Sequence, residues 1–160
     1  MWSGLLSGAA AGAAGTTALD AVTYLDMAQR GRPASSTPQQ TVEAITGRLK
    51  VDVPGDGDIR QNRLTGLGAL SGIGTGIAVG ATFGALRAAG FRPHPLLASV
   101  VIGLAAMAAS DVPMAGLKVS DPRTWSAGSW LSDIVPHLAY GMVTSTVLAA
   151  LDRRGRRGRR

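Results

Sequence analysis

Long apolar stretches without charge dominate the chain, and short polar segments separate them. Residues 64–86 form an uncharged run of 23 residues, and residues 2–19, 93–110 and 134–151 form three more runs of 18 residues each. At 1.5 Å per residue the longest run makes a helix of ~34 Å, which is enough to cross a hydrocarbon core of ~30 Å. The pattern predicts an all-α integral membrane protein whose four spans lie at about residues 2–27, 64–88, 95–117 and 131–151, within one domain of residues 1–152.

Glycines at a strict spacing of four mark the first two of these spans. In water each glycine costs a helix ~1 kcal/mol relative to alanine, but in lipid the helix persists because an unfolded backbone finds no hydrogen-bond partner. Positions i and i+4 share a face, so each row forms a smooth groove that lets a second backbone approach closely. This favours a four-helix bundle with glycine-zipper packing, either within the chain or against a second copy, although codon bias would also enrich glycine and alanine. The predicted packing seam consists of Gly4, Gly8, Gly12, Gly68, Gly72, Gly76, Gly80 and Gly84.

A dinucleotide-binding loop is the alternative interpretation of the segment GLGALS at residues 66–71. Such a loop follows a buried strand and precedes, by ~20 residues, an acidic side chain. The preceding residues DIRQNRLT do not resemble a strand, and no acidic residue follows until Asp111. The sequence therefore favours the membrane helix.

The connection between the first two spans carries a helix-start signal in TPQQTVEAITGRLKV. Thr37 is placed to cap a helix, and Pro38 suits its first turn. Val42, Ile45 and Leu49 then share one face, which predicts a short amphipathic helix at the membrane surface. The following segment VDVPGDGDIRQN is predicted to be a turn-rich loop.

Two features are predicted around the third and fourth spans. Pro113 is expected to kink or end the third span, because proline cannot donate a backbone hydrogen bond. Trp125 and Trp130 precede the fourth span, and they are expected to anchor it at the membrane interface.

Charge suggests an orientation. The net charge is +6, and the tail RRGRRGRR at residues 153–160 supplies six arginines. Basic flanks stay cytoplasmic, so we expect a cytoplasmic C-terminus and, with four spans, a cytoplasmic N-terminus; the first connection, with six basic and four acidic residues, blurs this signal. The tail is expected to be a solvated topology anchor that meets anionic lipid head groups, with no nucleic acid as partner.

Composition adds a location and a statement about the N-terminus. Alanine, glycine and arginine are abundant, and only two lysines are present, which points to a GC-rich bacterial genome and hence to the bacterial plasma membrane. The start MWSGLLSG lacks the positive side chain of a secretory signal, so residues 2–27 are expected to remain as the first span.

Four ionisable residues within the spans are the candidate site. If helices of 1.5 Å rise per residue alternate in direction, Asp20, Asp111 and the pair Asp133/His137 reach similar heights near the outer leaflet. A charge inside a membrane costs ~3 kcal/mol or more, so such groups usually face a cavity or a partner. The sequence thus predicts a proton- or cation-binding pocket, unless these groups simply lie at helix ends that water reaches. Asp26 is expected to be interfacial.

Enzymatic chemistry has little support in the sequence. There is no cysteine, so no disulfide or thiolate metal site is possible. One histidine with distant carboxylates has no metal-ligand spacing, and no serine lies in a nucleophile elbow. We expect no enzyme activity, no metal and no cofactor.

Two segments resemble a known family. The first is GAAAGAAGTTALDAVTYLDMAQRGRPASSTP, and the second is PHLAYGMV in the last span. They resemble the YagU-like family of small, largely uncharacterised bacterial inner-membrane proteins. The resemblance implies a four-span membrane protein in which Asp20 matches the acidic position of the family, and His137, Tyr140 and Gly141 match its last motif; GRP stands where that family tends to a double proline.

These patterns together favour a non-enzymatic function. We expect a structural or accessory membrane subunit that self-associates or docks on a larger membrane complex. A small proton- or cation-linked transporter or channel is the alternative, and it would use the ionisable residues of the predicted pocket.

Overall fold

The computed structural model describes residues 2–157, with side chains through Arg153. Within this range the chain folds into five α-helices and one short 3-10 turn, with no strand, so the predicted all-α class is confirmed. The helices are α1 (Trp2–Arg30), α2 (Thr37–Leu49), α3 (Gly57–Ala88), α4 (Pro95–Gly116) and α5 (Ala127–Arg157), and the turn covers Pro122–Thr124. Of the basic tail, residues 158–160 lie outside the described residues.

Several helix ends differ from the predicted ones. Ser36, rather than Thr37, is the residue before α2. α3 begins at Gly57, so the prediction of a loop through Asn62 is wrong; Asp58 lies in its first turn, where a carboxylate is favourable. α5 begins at Ala127 because the Ser126 hydroxyl accepts a hydrogen bond from the Ser129 N–H at 3.1 Å. Helix α4 continues through Pro113 to Gly116.

Three of the described helices are long and apolar enough to cross a membrane. They are α3, α4 and the part of α5 from Ala127 to Arg153. α1 has 29 residues but is not among them. Its serines, glycines and threonines lower its mean hydropathy. α1 is therefore long enough to cross a membrane but not apolar enough to meet the requirement by composition.

The four long helices pack with alternating directions. α1 lies against both α3 and α5, α4 lies mainly against α5, and α2 lies against the first half of α3. Trp2, Arg87, Pro95 and Asp152 therefore lie at one end of the molecule, which we call the terminal end. We call the opposite end, with α2 and the 3-10 turn, the α2 end.

The distribution of apolar side chains is unusual for a protein in water. The largest fully buried side chains are those of Tyr140, Thr144 and Leu148. Large apolar side chains instead lie on the surface, with Leu70 64%, Leu96 73% and Val112 68% exposed. Exposed apolar surface of this kind marks contact with a membrane or a partner. It is therefore consistent with three helices that are long and apolar enough to cross a membrane.

Candidate functional site

The predicted glycines on α1 face those at the end of α3. A Cβ added at Gly12 would lie 2.5 Å from the Gly76 carbonyl oxygen, and one at Gly80 would lie 2.5 Å from the Gly12 Cα. Gly8 meets Gly80 in the same way, and a Cβ at Gly4 would lie 2.8 Å from the Gly84 oxygen. Real Cβ atoms do not approach other atoms so closely, so these positions admit only glycine without a shift of one helix.

The other two predicted glycines of α3 lie apart from this contact. Gly68 is buried against α2, where an added Cβ would lie 3.1 Å from atoms of Pro38 and Gln39. Gly72 is exposed, and an added Cβ would have nothing within 4 Å. The row on α3 therefore serves two neighbours, α1 and α2, with an open position between them.

A buried polar junction lies where α1, α3 and α5 meet, and the sequence analysis did not predict it. Tyr140 is 1% exposed, and its hydroxyl donates a hydrogen bond to the Gly76 carbonyl. Thr16 donates to the Gly12 carbonyl at 3.0 Å. Gly15 lies against the Tyr140 ring and the Thr144 hydroxyl, so a Cβ there would collide with both. The signal that could have predicted this junction was a tyrosine in the last span together with glycines on two other helices.

A second close helix contact joins α4 and α5. A Cβ at Gly103 would lie 2.7 Å from the His137 carbonyl oxygen, and Gly141 lies against Ser99 and Gly103. The Ser99 and Ser145 hydroxyls share a hydrogen bond of 2.7 Å nearby. Each helix contributes one glycine here, so no periodic pattern marked this contact in the sequence.

Three of the four predicted ionisable residues come together between α4 and α5, towards the α2 end. His137 Nδ1 lies 2.8 Å from the Asp133 carbonyl oxygen and 3.3 Å from its Oδ1. Since a backbone carbonyl oxygen only accepts, the 2.8 Å contact indicates that Nδ1 carries the hydrogen. The Asp111 carboxyl lies beside that of Asp133.

The carboxyl groups of Asp111 and Asp133 cannot form a hydrogen bond with each other when both are ionised. The second Asp133 oxygen, Oδ2, is buried and has no hydrogen-bond partner among residues 2–153. A carboxylate only accepts hydrogen bonds, whereas a protonated carboxyl also donates. A proton shared by Asp111 and Asp133, or a bound cation, would therefore satisfy both groups.

Pro136 lies in the middle of this cluster. It lies inside the continuous helix α5, between Asp133 and His137, and proline lacks the N–H that would bond the carbonyl of Ser132. The backbone near the cluster thus offers a further acceptor. The described residues contain no group of three or more metal-ligating side chains arranged to hold a metal ion.

The fourth predicted residue, Asp20, stays outside the cluster. It is partly buried on α1, and none of the hydrogen bonds or ion pairs within residues 2–153 includes its side chain. Asp26, expected to be interfacial, links α1 to α5. It accepts hydrogen bonds from Arg30, Arg32 and Ser132, and Arg30 also donates to the Ser132 hydroxyl at 2.7 Å.

The two ends of the molecule carry different charged and aromatic groups. At the α2 end, Trp125 and Trp130 make an edge-to-face contact with centroids 5.1 Å apart. In the 3-10 turn beside them, a hydrogen bond from Arg123 lowers the pKa of Asp121. At the terminal end Arg87 and Asp152 form an ion pair of 2.9 Å that joins α3 to α5.

No protein-family model, curated protein or solved structure shows a significant match to this chain. The resemblance to the YagU-like family therefore depends only on the residues quoted for it.

Proposed function

We propose that this chain is a four-span, non-enzymatic membrane protein of the bacterial plasma membrane that acts as a structural or accessory subunit. Its glycine contacts would form a glycine-zipper bundle, and both termini would be cytoplasmic. The resemblance to the YagU-like family agrees with this plan. The observation that carries the proposal is that many large apolar side chains of α3, α4 and α5 lie on the outside of the molecule, as expected of a surface that meets lipid or a partner.

The proposal includes α1 as the fourth span, for reasons of length and partners. Trp2 and Tyr24 are both exposed, and they are separated along the helix by ~33 Å, close to the thickness of a hydrocarbon core. Aromatic side chains at such a separation suit the two membrane interfaces. α1 also packs against two of the helices that meet the length and hydropathy requirement, so it would enter the membrane with them.

A face of α3 supports association with another helix. The side of α3 that faces away from α1 exposes Gly66, Leu70, Ile73 and Gly74. A Cβ at Gly66 or Gly74 would have nothing within 4 Å, so these glycines have no neighbour within the chain. Small residues spaced by eight with large apolar residues between them would let a second transmembrane helix pack closely.

The test is the size of the particle that purifies in mild detergent. We expect a dimer or a larger complex, and Gly74→Ile should shift it to the single chain because the added side chain would hold a partner helix away. Ala108→Ile on the exposed side of α4 is the matched control and should leave the particle unchanged. A wild-type particle that contains only one chain would contradict the accessory role.

A second candidate function is a proton- or cation-linked transporter or channel, and one observation favours it. Asp111, Asp133 and His137 converge, and a buried Asp133 oxygen lacks a hydrogen-bond partner among residues 2–153. A membrane-embedded carboxyl pair with a histidine is suited to hold one proton or one cation.

Flux through liposomes separates this candidate from the accessory role. A transporter should dissipate an imposed pH or cation gradient, and Asp133→Asn should abolish that flux. Asp20→Asn, outside the cluster, is the matched control and should retain it. If the wild type shows no flux under a proton, sodium or potassium gradient, this candidate is wrong and the accessory role stands.

A further inference from the structure

An apolar cleft opens between α3 and α4, where these two helices make little contact. Its volume is about 300 Å³, and it is lined by Thr75, Val79, Phe83, Ala105 and Ala109 among others. The Thr82 hydroxyl at its edge donates to the carbonyl of Ala78 within its own helix, so the wall offers almost no polar group to a ligand. The occupant must therefore be apolar over this length.

Basic groups lie where the cleft reaches the terminal end. A smaller cavity shares Phe83 with the cleft and is lined by Arg87 and Phe91 towards this end. Arg92 follows directly and donates a hydrogen bond to the Arg87 carbonyl, which places its guanidinium near this mouth. Arg87 is the residue paired with Asp152, and Arg153 follows that aspartate, so the arginines outnumber the acidic group here.

The length of the cleft matches one leaflet of a membrane. From Arg87 to Thr75 the α3 helix rises ~18 Å, and half of a hydrocarbon core is ~15 Å. A basic mouth at the head-group level and an apolar cleft of one leaflet's depth are complementary to a single anionic lipid.

We propose that this cleft binds an anionic phospholipid, with one acyl chain between α3 and α4 and the phosphate group against Arg87 and Arg92. The site would lie in the leaflet on the side of the chain termini. The inference requires only that α3 and α4 lie in a membrane, and it is independent of whether the chain is an accessory subunit or a transporter.

Lipid retention in native mass spectrometry tests the site. The purified chain is exchanged into detergent with phosphatidylglycerol or phosphatidylcholine of identical acyl chains. A basic side chain at a lipid head group contributes ~1 kcal/mol, about fivefold in affinity, so phosphatidylglycerol should be retained severalfold better. Arg92→Gln should lower its retention about fivefold without changing that of phosphatidylcholine, and Arg92→Lys should restore it.

A cleft-filling variant tests where the acyl chain lies. Ala105→Phe should reduce retention of both lipids, whereas Ala108→Phe, on the exposed side of α4, should not.

Equal retention of the two lipids by the wild type, or unchanged retention in both Arg92→Gln and Ala105→Phe, would overturn the site and indicate ordinary boundary lipid. Loss of a dimer in Ala105→Phe would overturn it as well, because a second copy would then be the occupant. Arg92 lies on an exposed connection, so its variant keeps the test decisive even if Ala105→Phe fails to fold.

Discussion

At the residue scale, the fold depends on positions that carry no side chain and on a few buried hydroxyls. Gly76 shows both, because its missing side chain leaves room for Thr16 and the Tyr140 ring, and its carbonyl accepts the Tyr140 hydroxyl. A carbonyl in a helix has a second lone pair, so this bond does not cost α3 its own hydrogen bond. The tyrosine thereby ties α5 to the contact between α1 and α3.

Tyr140→Phe tests this junction. The variant keeps the ring but removes the donor, and we expect the free energy of unfolding to fall by about 1 kcal/mol, the usual size for a hydrogen bond between membrane helices. Tyr24→Phe is the matched control, because the Tyr24 side chain is 62% exposed and should contribute nothing measurable. Unfolding in a detergent–denaturant titration provides the comparison. Equal stability of the two variants would show that the hydrogen bond from Tyr140 to the Gly76 carbonyl does not stabilise the fold.

At the element scale, the contact between α1 and α3 is set by backbone approach along three glycine pairs. The closest neighbours of Gly80 are the backbone atoms of Gly8 and Gly12. Backbone atoms have no rotamer to change, so any side chain there forces the helices apart and loses dispersion contacts along their length.

Gly80→Ile should separate α1 from α3. Overpacking a tight contact costs about 1–3 kcal/mol, so we expect a lower unfolding midpoint of the purified protein. Gly72→Ile is the matched control, since this glycine belongs to the same row on the same helix but faces open space. If both variants lower the midpoint equally, the loss comes from isoleucine in the helix rather than from the contact.

The sequence predicted part of the helix packing, and there are physical reasons why it did not predict the remainder. The period of four predicted which α1 and α3 glycines share a face, and the uncharged runs placed the helix centres. Gly72 shows the limit, because the pattern reports a shared face but not the angle at which a neighbour crosses it. The α3 start at Gly57 was missed because the helix begins with polar residues that precede its apolar run.

The ionisable site shows the same limit. Helix rise placed Asp20, Asp111, Asp133 and His137 at similar heights, and height follows from residue number alone. Which of them meet depends on how each helix is rotated, and the structure brings together only those on α4 and α5. Asp26 and Ser132 form a separate link between α1 and α5.

At the scale of the whole molecule, large apolar side chains lie on the surface and small or polar residues lie in the interior, the reverse of the arrangement expected in water. Leu70 and Leu104 are 64% and 51% exposed on the outside, while the interior contains glycine, threonine and tyrosine. Such a surface is favourable where hydrocarbon covers it, and the small interior residues would then allow the helices to pack without large side chains. The central claim is therefore that lipid surrounds α3, α4 and α5.

Cysteine accessibility tests that claim most directly, because the natural chain contains no cysteine to react in the background. Single variants Leu70→Cys, Leu104→Cys, Asp52→Cys and Arg92→Cys would be treated with a membrane-impermeant maleimide in intact cells and in opened membranes. We predict that the two leucine positions resist labelling in both preparations, and that Asp52→Cys and Arg92→Cys react from opposite sides of the membrane. Because Leu70 also lies on the α3 face proposed to meet a second helix, Leu104→Cys decides the test. Labelling of Leu104→Cys as fast as Asp52→Cys would contradict the account, since only lipid is expected to cover this exposed side chain.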